Sequence, residues 1–393
     1  MPSHQYCKSG NAGFSLIEIL VGMVMGLISM VIVMQVFASF EGQKRTTTSG
    51  SDAQTNGGVS LYTIERDLRM AGYGFAEGIG CTVNTVQNTL INHSTAQSSF
   101  VLAPVTITQG AGGLPDRISI MRSNKQGWSV PVRNVTDHTL DTTHFNVSAA
   151  VGMAQNDLLI AYETDDTGVL IKTCTLIQVS SANPVINPVA HNTGNWNGNL
   201  GIFPSPDYST NAMLINAGSL AVHYYSLDAN SNLVIREYDS ATNSGLDLVN
   251  DPAQILSPDV VNLQAQYGID TRTAAAVLAA CPVNVSSGQC SIVDTWSDTA
   301  PADISRIYAV RIAVVARSGL KEKPDLTTGV CNTTTSASPD NRPRWAFDAT
   351  NPTGIVIDVS KNPDGTANAD WKCYRYKTFE TIVPLRNAIW KRR

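Results

Sequence analysis

The sequence predicts an α+β chain: a long hydrophobic N-terminal α-helix followed by a large β-rich globular domain with disulfides. Three observations predict it. Residues 19–40 carry no charged side chain. After residue 75, short runs rich in β-branched and aromatic residues alternate with stretches of Asn, Gly, Pro and Ser. Seven cysteines are present, and six of them lie beyond residue 80.

The apolar stretch comes first. A helix needs about 20 apolar residues to cross the hydrocarbon core of a bilayer, and within residues 19–40 only Ser29, Gln35 and Ser39 are clearly polar. Glu18 sits at the edge of this run, where a carboxylate is costly in lipid and marks a functional position with a partner to be named. Three readings of the segment compete. A secretory signal peptide would be cut after Ala38, in Val36-Phe37-Ala38. Against it stand the length of the run, Glu18, and a leader whose only Lys or Arg is Lys8. A plain membrane anchor explains the length and leaves Glu18 unexplained. A leader cut at Gly13/Phe14 keeps the helix on the mature protein and gives Glu18 a role.

Gly13-Phe14-Ser15-Leu16-Ile17-Glu18 resembles the type III leader of type IV prepilins, with Gly at the cut, an aromatic new N-terminus and Glu four residues on. The resemblance implies that prepilin peptidase cleaves after Gly13 and N-methylates Phe14. It also implies a pilin-like division: a leader over 1–13, a long helix over 14–72 with its membrane and assembly segment at 14–40, and a periplasmic or extracellular β-rich domain over 73–393. The cationic amine of Phe14 is then a partner for Glu18 of a neighbouring subunit. Pairing them removes a lone charge from an apolar environment, worth several kcal/mol. Charge bias does not orient the helix, because Lys8 precedes it while Lys44 and Arg45 follow; the cytoplasmic N-terminus rests on the leader.

At 393 residues the chain holds one or two domains, and 43% hydrophobic with 15% charged residues suits a folded core rather than disorder. A net charge of −5 does not suggest a nucleic-acid-coating protein. Cleavage after Gly13 removes Cys7 and leaves six cysteines, an even number that fits an oxidising compartment. Six cysteines allow 15 pairings. Proximity favours Cys281 with Cys290, leaving Cys331 with Cys373 and Cys81 with Cys174. No Cys-x-x-Cys supports a zinc site.

Along the chain, residues 43–58 are polar and read as a linker, although a pilin-like helix would continue through them, frayed or broken. Leu61, Ile64, Leu68 and Ala71 then fall on one helical stripe, ended by Gly72-Tyr73-Gly74. Strands are expected at 118–120, 157–163 and 169–179, with a turn at 165–168 joining the last two. A second hairpin joins 220–227 to 233–238. Residues 261–270 alternate as a half-buried strand should. Residues 312–316 are apolar on both faces and belong in the middle of a sheet; 376–384 form the last strand. The loops at 183–208 and 329–352 are expected on the surface, where binding loops lie.

Five further stretches are similar to PilW-type minor pilins: residues 68–74, 266–270, 309–317, 374–377 and 384–387. Major pilins commonly carry a Pro inside the first helix; none lies near Gln35, which favours a minor pilin, as does the chain's size.

Catalytic signatures such as Gly-x-Ser-x-Gly, a phosphate-binding glycine loop or His-Glu-x-x-His are absent from the sequence, so a non-enzyme is expected. The six histidines are scattered, His138 and His144 being the nearest pair. Asp228-x-Asn230-x-Asn232 and the Asx-rich run 362–370 invite a calcium reading, but the first lacks the Gly and Glu of a calcium loop. Turn chemistry explains both, and no cofactor is expected. The basic residues Lys391, Arg392 and Arg393 are thin support for nucleic acid.

The expected function is therefore that of a type IV pilus minor pilin of the PilW kind. The resemblance implies a subunit held in the inner membrane and drawn into the pilus to prime assembly at its tip. Its implied partners are the other minor pilins, the major pilin, a PilY-type tip adhesin, prepilin peptidase and membrane lipid. The alternatives are a J-type minor pseudopilin of a type II secretion system and a secreted binding protein or enzyme cut after Ala38.

Overall fold

The computed structural model describes residues 13, 15–75, 80–85, 99–125, 130–139, 142–165, 170–172, 174–181, 187–192, 196–197, 207–240, 252–273, 276, 292–325, 327–349 and 351–389. The chain divides into two compact units, Met1–Asp52 and Ala53–Arg393. Helix α1, Leu16–Met70, supplies most of what is described of the first unit and the opening segment of the second.

Residues 43–58 are helical rather than a linker. The reason lies in which side chains the second unit takes in. Ala53, Gly57, Ser60, Ile64, Leu68 and Ala71 form one buried stripe, so small residues that read as flexible are spaced to let the helix lie close against a sheet. Burying Ile64 and Leu68 contributes about 2–3 kcal/mol each, against about 1 kcal/mol lost at each helix glycine. Burial wins. The helix ends where Gly72 turns left-handed (φ 75°) and donates its N–H to Met121 O at 2.9 Å.

The strands that follow are β1 Thr82–Thr85, β2 Ser99–Val101, β3 Val105–Thr108, β4 Arg117–Ser123, β5 Val132–Arg133, β6 His144–Phe145, β7 Leu158–Tyr162, β8 Cys174–Gln178, β9 Val189–Ala190 and β10 Met213–Gly218. Then come β11 Leu220–Leu227, β12 Leu233–Asp239, β13 Gln254–Ser257, β14 Val260–Ile269, β15 Thr295–Ser297, β16 Ile307–Arg317, β17 Arg344–Trp345, β18 Ile355–Val356 and β19 Tyr376–Pro384, with a last helical turn α2, Arg386–Ile389. They build a six-stranded sheet (β2-β1-β8-β7-β10-β5), a five-stranded sheet (β13-β12-β11-β4-β3) and a four-stranded sheet (β15-β14-β16-β19), plus the pairs β17-β18 and β6-β9. The architecture is α+β.

One core is shared by the second-unit part of α1 and all three sheets: Ile64, Leu68, Ile118, Ile160, Val222, Leu263 and Ile312 all belong to it. The expected hairpin at 220–238 is β11–β12, paired from Leu227↔Leu233 outward. The first expected hairpin is β7–β8, but its second strand begins at Cys174; Leu170 makes only an isolated bridge to Thr164, and residues 166–169 lie outside the described set.

β16 lies between β14 and β19 and is buried on both faces, as its β-branched run requires. β14 departs from the half-buried expectation, being buried on both faces too. Its polar residues are covered because their amides are used. Asn262 Nδ2 donates to Gly113 O (3.2 Å), Gln264 Nε2 to Leu114 O (3.0 Å) and Gln266 Nε2 to Asp298 Oδ1 (2.8 Å).

A second core lies on the far side of the four-stranded sheet, where Val261, Ala313 and Val315 meet Trp345, Ala346, Ile357 and Val359. Arg311 fastens it: buried, it stacks over Trp296 (4.8 Å) and Trp345 (5.5 Å), pairs with Asp348 (3.2 Å) and donates to Gln266 Oε1. The loops expected on the surface are thus anchored inward where described. Trp345 and Ala346 sit in this core. In the other loop, Val189, Trp196 and Tyr208 are buried, and Asn197 holds Gln178 through both its amide atoms as a strand partner would.

Disulfides join Cys81 to Cys174 and Cys331 to Cys373. The expected partners Cys281 and Cys290 lie outside the described residues, as do Lys391, Arg392 and Arg393.

Candidate functional site: the amino-terminal helix and its anchor

Gly13 is non-helical, and Phe14 lies outside the described residues. Ser15 starts the helix. Its Oγ accepts from Ile17 N–H at 3.4 Å, while Glu18 Oε2 reaches back to Ser15 N–H, also at 3.4 Å. This Ser-x-x-Glu arrangement is a capping box, here with long contacts. Leu16–Glu41 forms 26 residues of apolar helix, none of it buried. Leu16 is 80% exposed and Phe37 71%. Such a surface in water is an aggregation hazard; in a bilayer or between helices it is the contact itself.

At about 100° per residue, Ser15, Glu18, Gly22, Gly26 and Ser29 fall within one narrow arc. A Cβ built on Gly22 or Gly26 meets no atom within 4 Å, and Ser29 satisfies its hydroxyl by donating to Met25 O at 2.8 Å. The face that carries the carboxylate is therefore also the one on which another helix can approach most closely. Chemically, this face can dock an apolar helix bearing a cation.

Within the second unit, the last turns of α1 are held by a buried charge, Asp67, which the helical pattern of the sequence places with Glu65, Arg66 and Arg69 on the faces away from the apolar stripe. In the fold Asp67 falls on that stripe, beside Leu68. Its carboxylate accepts from His223 Nδ1 and Tyr225 Oη, each at 2.5 Å, with Arg66 Nε at 3.6 Å. Burial pushes the Asp67 carboxyl up, but the hydrogen bonds from His223 and Tyr225 and the charges of His223 and Arg66 hold it below its ordinary value. His223 Nε2 in turn faces Arg122 (3.4 Å). The signal was available: a lone Asp on an apolar helical stripe needs a partner.

The histidines also assemble differently. His138 and His144 were the nearest pair in sequence; in the fold His138 Nε2 lies 2.9 Å from His191 Nε2 and stacks on Phe145, with ring centroids 3.9 Å apart. Burial drives His138 down to about 4 and His191 to about 3. Among the described residues, no group of three His, Cys, Asp or Glu side chains gathers as a metal site. The two calcium candidates spend their carboxylates on turns: Asp228 Oδ1 accepts from Asn230 and Asn232 N–H (2.9 and 2.8 Å), and Asp364 Oδ1 from Thr366 N–H (2.9 Å).

No curated protein and no solved structure matches the chain. The model of one family does, over residues 223–387, from His223 of the Asp67 anchor through β19. That family is PilW, the type IV pilus-assembly protein W, which the chain resembles over these residues.

Proposed function

We propose that the protein is a minor pilin that primes type IV pilus assembly at the fibre tip. The observation that carries this reading is the unburied apolar helix Leu16–Glu41 with Glu18 near its start, on a chain whose residues 223–387 match the model of a pilus-assembly family. In this account prepilin peptidase cuts between Gly13 and Phe14 and N-methylates Phe14. The helix then holds the subunit in the inner membrane, N-terminus inward and β-domain in the periplasm. On assembly, Glu18 accepts the Phe14 amine of a neighbouring subunit, which supplies both attraction and axial register. The other minor pilins, the major pilin and a PilY-type tip adhesin are the partners. The role in this account is structural.

The intact mass of the protein taken from its native membrane tests the processing step. A chain beginning at methylated Phe14 is expected; one beginning at Ser39 overturns the proposal. Gly13→Ala should leave the leader on most of the protein, seen as the unprocessed mass.

A further inference from the structure

We propose that the free edge of β19 is a docking strand for an extended segment of another pilus-assembly protein, a proposal that rests on the reading above. β19 ends the four-stranded sheet and pairs with β16 in unbroken register from Ala309↔Pro384 to Arg317↔Tyr376. Beyond each end, Leu385 N–H donates to Tyr308 O and Ser318 N–H to Arg375 O, both at 2.8 Å. In an antiparallel ladder the bonded residues alternate. The odd-numbered residues of β19 therefore turn their N–H and C=O groups to β16, and Tyr376, Thr378, Glu380, Ile382 and Pro384 turn theirs outward. Among the described residues nothing pairs with those outward groups.

Sheet edges are usually blunted by shortness, bulges or projecting charge. The edge strands β2, β3, β5, β13 and β15 are two to four residues long. β19 has nine residues and no bulge. Its two charged side chains are both engaged within the chain: Glu380 accepts from the N–H of Ala346 (3.0 Å), and Lys377 Nζ donates to Gln54 Oε1 (2.8 Å). Only Pro384, at the very end, lacks an outward N–H.

The chemistry names the occupant. A row of outward N–H and C=O groups is matched only by another extended polypeptide. Cations gather where the chain enters the strand, at Lys372, Arg375 (itself paired with Glu322 at 2.8 Å) and Lys377, while Ile382 is 54% exposed near the strand's end. The complement is a segment acidic at one end and apolar at the other. A second copy of β19 fits poorly, since antiparallel self-pairing centred on Glu380 would bring two carboxylates together.

The test replaces Thr378 and Ile382 together by Pro in the full chain. Each change removes an outward N–H and no bond to β16, whereas Thr381→Pro removes a ladder bond and should lower protein level. A photo-crosslinking residue at position 382 of the otherwise wild-type chain, in its own cell, reports the neighbour. The expected crosslink is to an extended, acidic-to-apolar segment of a different pilus subunit. T378P/I382P should keep its membrane level and lose that subunit from its complexes by about 10-fold or more. If the double variant does not accumulate, Ile382→Lys, which blunts the edge without touching the backbone, is read in the same way. Unchanged recovery of the subunit overturns the proposal, and so does a crosslink to a second copy of this chain. Absence of the wild-type chain from sheared pili would instead overturn the pilus reading, even with the crosslink in place.

Discussion

Single carboxylates divide the labour in this chain, and each does what its surroundings dictate. Glu18 is exposed and held by one long capping contact, so it is available to a partner. Removing it should leave leader cleavage intact and sharply reduce entry into fibres, scored as the ratio of sheared to membrane-bound protein; an unchanged ratio would refute the charge-pairing account. Asp116 is the opposite case. Buried, it accepts N–H bonds from Gly110 and Ala265, each at 2.8 Å, yet burial, with Asp298 nearby, pushes its carboxyl up to about 6. A raised folded value means that the native state holds the proton more tightly than the unfolded chain. The stability Asp116 contributes is then full below about 4, the unfolded value, and is lost as pH rises through about 6. By linkage the swing is on the order of 2–3 kcal/mol. Between pH 4 and 7 the stability of wild type measured by urea unfolding should fall by that amount relative to Asp116→Asn.

At the scale of elements, helix α1 shows how far composition alone can mislead. The stripe at Ile64, Leu68 and Ala71 was legible because large apolar residues repeat at helical spacing. The helix upstream was not, because Gly57 and Ser60 look the same in a linker and in a close helix–sheet contact. Gly57 faces the ring of Phe379 in β19, and an added Cβ would run into that ring. Gly57→Val should therefore push α1 off the sheet, despite lengthening an apolar stripe, and cost about 1–3 kcal/mol. Thermal unfolding checks it, and Phe379→Ala should recover part of the loss by making room. The strands of the last sheet were readable for the converse reason: β16 and β19 are long and β-branched. The polar face of β14 looked solvent-facing because Asn262, Gln264 and Gln266 reveal nothing of the two carbonyls and the Asp298 carboxylate that later cover them. The His138–His191 contact was equally hidden, since it joins residues 53 apart. It carries its own pH signature. Both folded values lie below the ordinary histidine value, so the stability they reflect is present above about 6.5 and is lost as pH falls toward 4 and then 3. Amide exchange at residues 138, 139, 142–145 and 187–191 should speed up on acidification before the rest of the domain opens.

For the whole molecule, the two described disulfides tie sequence to compartment. Each closes a long loop, with sequence separations of 93 for Cys81 with Cys174 and 42 for Cys331 with Cys373. Chain entropy alone gives both about 4–5 kcal/mol, so loop length does not rank them. Location does. Cys81 and Cys174 are buried in the main core, and their bond fixes β1 alongside β8. Cys331 and Cys373 pin the 322–334 segment where the chain enters β19, with Glu322 N–H donating to Cys373 O at 2.7 Å. Replacing the first pair by Ala should lower the melting temperature of the whole second unit and the level of protein in the membrane. Replacing the second pair should spare the main core and loosen the approach to β19, which protease cleavage between residues 322 and 375 would reveal. Equal losses from the two double variants would mean that the 322–375 segment and the main core unfold as one. Both bonds also require an oxidising environment, whereas the leader is expected to be cut at the cytoplasmic face. Thiol labelling in intact cells should accordingly find these four cysteines blocked while Cys7 of the unprocessed Gly13→Ala variant stays reactive, placing the two ends of α1 on opposite sides of one membrane.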